Sequence, residues 1–291
     1  MSLTLKDGEE FALRVVEAEG YHVARGLVLD LVLNKKTDIA SGDSLFCGMA
    51  VSLVFPPAIS PLVILFVTFC AAVIKHIFNR NALVSFNPYA TAVTLAFIAF
   101  PAKMTAYLPF GEKGAFSEKI VTDIEKLLSG ALPDTTLWDA LFGVTSGGIG
   151  EISGFLIILA LIWLAVRKNA ASEIAVSYII TVAVFSYFLP GLIIETDIIV
   201  IKYALFQLLC GGTLFTAVFF ASDPAYAPRS FRAKIAVGVI GGLFLMLCRK
   251  YVGGIIPCAV SVVAMNLFAP FLDMIFSDGE IFGGKPTKST K

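Results

Sequence analysis

The chain has 291 residues and balances 22 Lys and Arg against 22 Asp and Glu, so its formal net charge is zero. Hydrophobic residues make up 57% of the chain and charged residues only 15%, which is more apolar surface than a soluble domain of this size can bury. The composition therefore predicts an all-α integral membrane protein. It lacks the basic surplus expected of a nucleic-acid-binding protein, so we expect no nucleic-acid partner.

The N-terminal segment differs from the rest because it mixes charged with apolar side chains. Residues 1–40 carry acids and bases throughout and no continuous apolar run, so we expect no cleavable signal peptide. Between residues 9 and 33, apolar positions are interrupted by charges, a pattern typical of a helix that lies on a membrane surface or against a partner. We predict that residues 1–43 form a cytoplasmic amphipathic segment.

Eight apolar segments follow: 45–55, 58–74, 89–101, 152–166, 174–194, 198–221, 235–248 and 255–276. A helix needs about 20 residues to cross a hydrocarbon core, and the segments 45–55, 89–101 and 235–248 are shorter than that. Short apolar segments bounded by proline are typical of broken helices that end within the membrane and line a site there. We therefore predict a membrane domain over residues 44–277 that contains short or broken helices.

The same segments are compatible with an inverted repeat. The first copy runs from Pro57 through an apolar helix to Asn87, and the second runs from Pro224 through 235–248 to Asn266. The two apolar helices would cross the membrane in opposite directions, as in inverted repeats that enclose a site near the midplane. A chance similarity between two hydrophobic segments would explain the pattern equally well.

The loops predict the orientation of the chain. Lysines and arginines concentrate in alternate loops and in the tail 278–291, so the positive-inside rule places those loops and both termini in the cytoplasm. The opposite side receives the loop 102–151 and the pair Arg249 and Lys250. We therefore expect a multi-pass protein of the cell inner or plasma membrane, with Lys202 as the main charge within a span.

One stretch of the outer loop, "DALFGVTSGGIGE" at 139–151, packs a threonine, Thr145, among glycines. Glycines at 143, 147, 148 and 150 leave backbone N–H groups open to an anion, and a helix that starts near Ile152 would point its partially positive end the same way. The alternative is an ordinary glycine turn with Ser146 as the N-cap of that helix. The local pattern alone favours the turn.

Two polar residues interrupt apolar runs on the predicted cytoplasmic side. Asn87 precedes Pro88 and offers both a donor and an acceptor to an uncharged polar ligand. Asp223 ends an apolar run, where an acid is costly unless it is paired or functional. Both also have structural interpretations, Asn87 as an Asx-Pro turn and Asp223 as a cap or a partner of Arg229 or Arg232. Their common side permits a shared pocket.

The stretches "SLVFPPAISPL", "FNPYATAVTLAFIAFP", "DALFGVTSGGIGE", "FFASDPAYAPRSFRAKIAVGVIGG" and "MNLFAPFLD" follow one another in this order. Together they resemble the D subunit of Rnf ion-translocating ferredoxin:NAD oxidoreductases and its relative, the B subunit of sodium-pumping NADH:quinone oxidoreductase. The resemblance runs from about Ser44 to Asp273. It implies a membrane subunit of a multi-subunit translocase rather than a stand-alone enzyme, one that relays electrons while Na⁺ or H⁺ moves.

The resemblance also implies cofactors. Members of this family carry FMN joined by a phosphoester bond to the last threonine of a Ser/Thr-Gly-Ala-Thr motif on the outer face. The matching residues here are Phe142-Gly143-Val144-Thr145, which makes Thr145 the expected attachment residue, with Gly143 and Ser146 beside it. Phe142 and Val144 depart from the motif.

A second flavin is implied by the quinone-reductase relative. That protein holds a noncovalent riboflavin through an asparagine and an aspartate that match Asn87 and Asp223. The approach to Asn87 here is "KHIFNRNALVS", which lacks the glycines that usually precede Asn-Pro in the family.

The resemblance implies partners as well: other subunits of an Rnf-type complex, an FMN-bearing subunit on the outer face, and a flavin transferase for maturation. The five cysteines lie in or beside apolar runs without C-x-x-C spacing, and no G-x-G-x-x-G follows a strand pattern, so NAD and iron–sulfur chemistry would belong to other subunits. Two alternatives stay open. One is a flavin-free solute channel or secondary transporter of related fold, and the other is a structural subunit that keeps the fold without its cofactors.

Overall fold

The computed structural model describes residues 53–56, 59–78, 86–104, 121–131, 133, 135–145, 147–148, 150–151, 153–188, 200–252 and 256–276. The predicted N-terminal segment 1–43, most of the apolar segment 45–55 and the tail 278–291 lie outside these residues. In the described part all regular structure is helical, which confirms the predicted class. In chain order its helices are α1 (Pro61–Phe78), α2 (Pro88–Ala99), α3 (Pro101–Met104), α4 (Asp123–Leu128), α5 (Leu137–Phe142), α6 (Gly154–Arg167), α7 (Ser172–Phe188), α8 (Val200–Leu209), α9 (Thr213–Ala221), α10 (Phe231–Tyr251) and α11 (Ile256–Phe276).

The helices differ in their ability to cross a membrane. Within the described ranges, α10 and the Cys258–Phe276 part of α11 are long and apolar enough to do so, and α8 with α9 makes a third candidate as a pair bent by 56°. The predicted short segment 89–101 is the 12-residue helix α2. The prediction that 235–248 is short was wrong, because α10 has 21 residues and continues through Arg249 and Lys250.

The helix α10 packs mainly against α7 and α11. Close approach to α7 depends on glycines: a Cβ atom on Gly238 would lie 2.6 Å from the carbonyl oxygen of Ile174, and one on Gly242 would lie 2.9 Å from that of Tyr178. The Tyr178 hydroxyl also lies 2.8 Å from the Ser261 hydroxyl of α11. Small residues that let helix backbones approach are the usual basis of helix packing in membranes.

The bundle has two ends that we distinguish by their helix termini. At the first end, α2 and α10 begin and α9 and α11 finish. There the carboxylate of Asp273 accepts hydrogen bonds from the backbone N–H groups of Arg229 and Ser230, with N–O distances of 3.0 Å and 3.2 Å to Oδ1. At the second end, α6 begins and α10 finishes. The stretch 139–151, which we call the glycine loop, contacts the start of α9 there. By the charge pattern of the loops, the first end is the predicted cytoplasmic one.

The two halves of the suggested inverted repeat place their asparagines differently. Asn87 precedes α2 and caps it, whereas Asn266 lies buried inside α11 with an Nδ2 atom that has no hydrogen-bond partner. The repeat therefore does not extend to these side chains.

The glycine contact between α7 and α10 generates a stability prediction. Gly238→Val should lower the stability of the detergent-solubilised chain by about 1–3 kcal/mol, because the new side chain must push α10 away from the Ile174 carbonyl. Thermal unfolding followed by size-exclusion chromatography measures this. Ala236→Val, a half-buried position on the same helix, serves as the control and should change the melting temperature little. Equal shifts for the two variants would contradict the proposed role of close packing.

Candidate functional site

Two short helices of the outer loop lead to the glycine stretch, and each begins with a capping box. Thr122 caps α4 together with Glu125, and Thr136 caps α5 together with Asp139. The hydroxyl of Thr136 donates to the Asp139 carboxylate at 2.7 Å, and this bond holds the pKa of Asp139 below its usual value. Such reciprocal bonds satisfy the free N–H groups of a helix start and fix where it begins.

The backbone of the glycine stretch is occupied by internal hydrogen bonds. The N–H groups of Gly143 and Val144 both donate to the Asp139 carbonyl at 2.8 Å, and that of Gly150 donates to the Leu53 carbonyl at 2.9 Å. Gly143 has a φ of 98° and ends α5 as its left-handed C-cap. The prediction that these glycines leave their N–H groups open to an anion was therefore wrong for Gly143 and Gly150.

Gly148 and Gly150 serve close packing. A Cβ atom on Gly148 would lie 2.7 Å from the Val54 carbonyl oxygen, and one on Gly150 would lie 2.6 Å from Cβ of Leu53. Thr145 is only 7% exposed within this loop. Ser146 lies outside the described residues, and Ser153 caps α6 in its place by accepting from the N–H of Leu156. The loop therefore seals the second end of the bundle against the segment before α1.

The side chain of Asn87 is almost fully engaged in structure. It is 1% exposed, and its Oδ1 atom accepts from the N–H groups of Tyr89 and Ala90 at 3.1 Å and 3.2 Å, which caps α2. Its Nδ2 atom donates to the Phe220 carbonyl at 3.2 Å and so ties α2 to α9. A ligand at Asn87 would have to use the second N–H of this amide or displace a cap.

Asp223 lies close by but faces its own turn. It follows the end of α9 three residues after Phe220, the partner of Asn87, so the structure brings the two predicted residues to the same end of the bundle. Its Oδ1 atom accepts from the N–H of Ala225 at 2.9 Å in an Asx turn. The backbone of Arg229 binds the carboxylate of Asp273.

A buried arginine occupies the break between α8 and α9. Gly211 and Gly212 have φ values of 69° and 71°, and the chain bends between the two helices. Arg249 is 1% exposed and donates from Nη1 to the Gln207 carbonyl at 2.9 Å and from Nη2 to the Gly211 carbonyl at 3.1 Å. It also donates to the Gln207 side chain and to the Thr213 hydroxyl. These carbonyls end a helix, where the backbone is partially negative and unpaired, so a cation is favoured there.

A buried glutamate faces the same break from the other side. Glu151 is 5% exposed, and a Cβ atom on Gly212 would lie 2.6 Å from its Oε1 atom. Its Oε2 atom has no hydrogen-bond partner. Glu151 belongs to the loop that precedes α6, and burial raises the pKa of this carboxyl to about 8, while a backbone hydrogen bond from Gly148 and the charge of Arg249 act in the opposite direction.

The match to known proteins covers most of the chain. The family model described as NQR2, RnfD, RnfE matches residues 18–281. The chain belongs to this family. The NQR2, RnfD, RnfE match extends on both sides of the helices described above, and includes the glycine loop, Asn87 and the break at Gly211 and Gly212.

Curated relatives of this family have names that point to membrane-bound electron transport. The chain is 26% identical over 255 residues to the D subunit of the proton-translocating ferredoxin:NAD(+) oxidoreductase complex of Clostridium ljungdahlii, an alignment that covers 84% of this chain and 76% of that protein. It is 27% identical to the B subunit of the Na(+)-translocating NADH-quinone reductase of Pseudoalteromonas atlantica, over 77% of this chain and 57% of the relative. It is also 27% identical to the D subunit of the Na(+)-translocating ferredoxin:NAD(+) oxidoreductase complex of Acetobacterium woodii, over 74% and 64% of the two chains. The chain is thus a multi-pass membrane member of this family, and these relatives are named as subunits of ion-translocating oxidoreductases.

Sequence reasoning missed the buried charges of this family member. It placed Arg249 in an outer loop, whereas Arg249 is buried near the end of α10. Lys202, predicted as the main charge within a span, lies in α8, one half of the bent candidate span. The Gly211-Gly212 pair inside the apolar run 198–221 was the available signal, because two glycines that break a helix leave carbonyls for a donor.

The double role of Asn87 generates a prediction with a built-in comparison. Asn87→Ala should destabilise the chain by about 1–3 kcal/mol, because it removes the cap of α2 and leaves the Phe220 carbonyl unpaired in the core. Asn87→Asp keeps the capping oxygen and loses only the donor to Phe220, so it should lower the melting temperature less. Thermal unfolding of both variants in detergent measures the difference. If Asn87→Ala melts like the parent, the capping role is refuted.

Proposed function

We propose that this chain relays electrons between partner subunits through an FMN joined by a phosphoester bond to Thr145, while Na⁺ or H⁺ moves through the complex. The observation that carries the proposal is the family match over residues 18–281, because its relatives are named for electron transfer coupled to ion translocation. When bound, FMN supplies redox chemistry that no side chain of the protein offers. The chain's own part is to hold this group at the second end of the bundle.

The position of the loop suits this role. Beside it, the exposed rings of Trp138 and Phe142 stack with centroids 6.2 Å apart, and Phe142 lies 5.8 Å from Phe155 at the start of α6. Exposed aromatic side chains of this kind concentrate at the border between membrane and water. We infer that the second end of the bundle meets the aqueous phase near Thr145, on the outer face if both termini are cytoplasmic.

The local geometry does not fit a flavin without rearrangement. Thr145 is 7% exposed, and the N–H groups of Gly143, Val144 and Gly150 already donate to backbone carbonyls, so they offer no ready cradle for a phosphate. The Thr145 side chain must therefore turn outward, or the glycine loop must open, before a transferase can modify it.

The proposal includes partners that match the relatives' complexes. The other subunits would supply NAD and iron–sulfur chemistry, an FMN-bearing subunit would meet the outer face, and a flavin transferase would load Thr145 in the inner or plasma membrane. A noncovalent riboflavin between Asn87 and Asp223 is a further part of it. That site is supported by the placement of both residues at the first end of the bundle, and opposed by the hydrogen bonds that Asn87 already makes.

Covalent attachment generates a direct prediction. The full chain matured in its native host, then denatured and run on a gel, should show a fluorescent flavin band, and Thr145→Ala should abolish it. A phosphoester bond survives denaturation, whereas a noncovalently held flavin is released. The gel therefore separates covalent from noncovalent cofactor. Intact mass should show one added FMN on the parent chain.

The same loop offers matched controls in Thr122, Thr135 and Thr136. Changing each of these to alanine should leave the band in place, the exposed Thr136 being the cleanest comparison. If one of these variants loses the band and Thr145→Ala keeps it, the flavoprotein function stands and the attachment residue moves. If the parent chain shows no band, the covalent FMN is refuted.

The bend between α8 and α9 favours one alternative, a flavin-free channel or secondary transporter of related fold. Broken helices at which backbone carbonyls are freed are typical of transporter binding sites. In this chain the freed carbonyls of Gln207 and Gly211 are occupied by Arg249. An absorbance spectrum without flavin bands, together with solute flux in liposomes, would favour the alternative, whereas flavin bands without flux would exclude it.

A further inference from the structure

Among the described residues, buried charged side chains lie together at the break between α8 and α9. We call Glu151, Gln207, Thr213, Arg249 and Cys258, with the backbone of Gly211 and Gly212, the break cluster. All five side chains are at most 5% exposed. They come from the loop before α6 and from α8, α9, α10 and α11, so the cluster joins elements that are far apart in sequence.

The cluster contains a fixed positive charge. Arg249 donates to three backbone carbonyls, those of Gln207, Cys210 and Gly211. It also donates to the Gln207 side chain and the Thr213 hydroxyl, while its Nε atom has no hydrogen-bond partner. The Cys258 thiol donates to the same Gly211 carbonyl at 2.9 Å, so the carbonyls at the break are well paired. Because a guanidinium does not lose its proton in proteins, this charge stays in place.

The carboxylate of Glu151 lacks part of the hydrogen bonding that a buried negative charge requires. Glu151 lies against Gly212, and its Oε2 atom accepts no hydrogen bond. In the part of the chain that the structure describes, no ion pair of 4.0 Å or less joins the Glu151 carboxylate to Arg249. A buried carboxylate oxygen without a partner is costly, unless a proton or a metal cation occupies it. The unpaired oxygen therefore points to an exchangeable ligand rather than to a finished ion pair.

We propose that Glu151 at the break cluster is a site that takes up and releases one small monovalent cation, H⁺ or Na⁺. Uptake forms a bond between the cation and Oε2, and release restores the carboxylate, with no electron transferred in either step. The neighbouring charge of Arg249 repels the incoming cation and keeps binding reversible. This deepens the proposed function, on which its role in ion translocation rests, because it names a residue at which the translocated ion would bind.

Other titratable groups surround the site and must be separated from it. They are Arg249 of α10, Cys258 of α11, Tyr178 of α7, Tyr203 of α8 and Cys210 after α8, which interact with the cluster by charge or hydrogen bonds, and Asp123 of α4, which acts on Cys210. A test must therefore change Glu151 alone while these groups remain.

Thermal unfolding of the purified full chain tests the site without any redox activity. The melting temperature is measured in NaCl and in choline chloride at equal ionic strength, and from about pH 5 to about pH 8. A proton site predicts that the melting temperature falls as the pH rises, because the folded chain holds this proton more tightly than the unfolded chain does. A sodium site predicts a higher melting temperature in NaCl than in choline chloride, since Na⁺ binds only the folded chain.

Glu151→Gln should remove whichever response the parent shows, because the amide can bind neither cation as a carboxylate does. Glu173→Gln is the matched control: Glu173 lies at the first end of the bundle, 3.8 Å from Lys234, and its replacement should keep the response. A parent that responds to neither Na⁺ nor pH overturns the proposal. So does a response that Glu151→Gln retains.

Glu151→Asp covers the case in which Glu151→Gln does not fold. It keeps the carboxyl but withdraws it from Gly212. The proton concentration at the midpoint of the pH response, or the Na⁺ concentration that gives half the effect, should therefore shift severalfold. An unchanged midpoint would overturn the proposal. In vesicles that hold the whole complex, Glu151→Gln should lose cation translocation whereas Glu173→Gln should keep it, and translocation by Glu151→Gln at the parent rate would refute the site. A missing flavin band with an intact cation response would instead refute the proposed function and leave the site standing.

Discussion

The guanidinium of Arg249 at the helix break is the interaction on which much of the described bundle depends. A helix that stops inside a membrane protein leaves carbonyl groups that lipid cannot pair, so the break requires a buried donor. Arg249 provides it from another helix and contacts α8, the glycines and the start of α9 at once. The ends of α8 and α10 are therefore positioned together, and the loop with Glu151 closes over them.

This arrangement explains why the glycine loop looks as it does. Gly148 and Gly150 press against Leu53, Val54 and Phe215, and the carboxyl of Glu151 reaches Gly212 across the break. Glycine is needed at these contacts because any larger residue would separate the loop from the bundle. Packing thus accounts for Gly148 and Gly150, while the role of the threonine beside them depends on the family resemblance and on chemistry that follows folding.

Much of the fold was predictable and the break cluster was not, for a physical reason. Apolar runs report burial in lipid or protein, so the helices after Pro61, Pro88, Gly154 and Ser172 were foreseen from hydropathy. Hydropathy treats a charge as a sign of water, and it placed Arg249 in a loop because it cannot show that carbonyls from a distant break pair with it. Asn87 stood out in the sequence as a polar interruption, but its partner Phe220 lies 133 residues away and is set by tertiary packing.

The end of α9 ties several helices to one turn of backbone. Its residues Thr216–Ala221 form a π-helix; Phe220 accepts from Asn87 of α2, and the carbonyl of Ser222 accepts from the N–H of Ala171 just before α7 at 2.8 Å. A π-helix contains one residue more than an α-helix of the same rise, and it returns to the α form by a slip of one residue. Such a slip would rotate the Phe220 carbonyl away from Asn87 and pull on the start of α7 in the same movement. The starts of α2 and α7 are therefore both anchored to the end of α9.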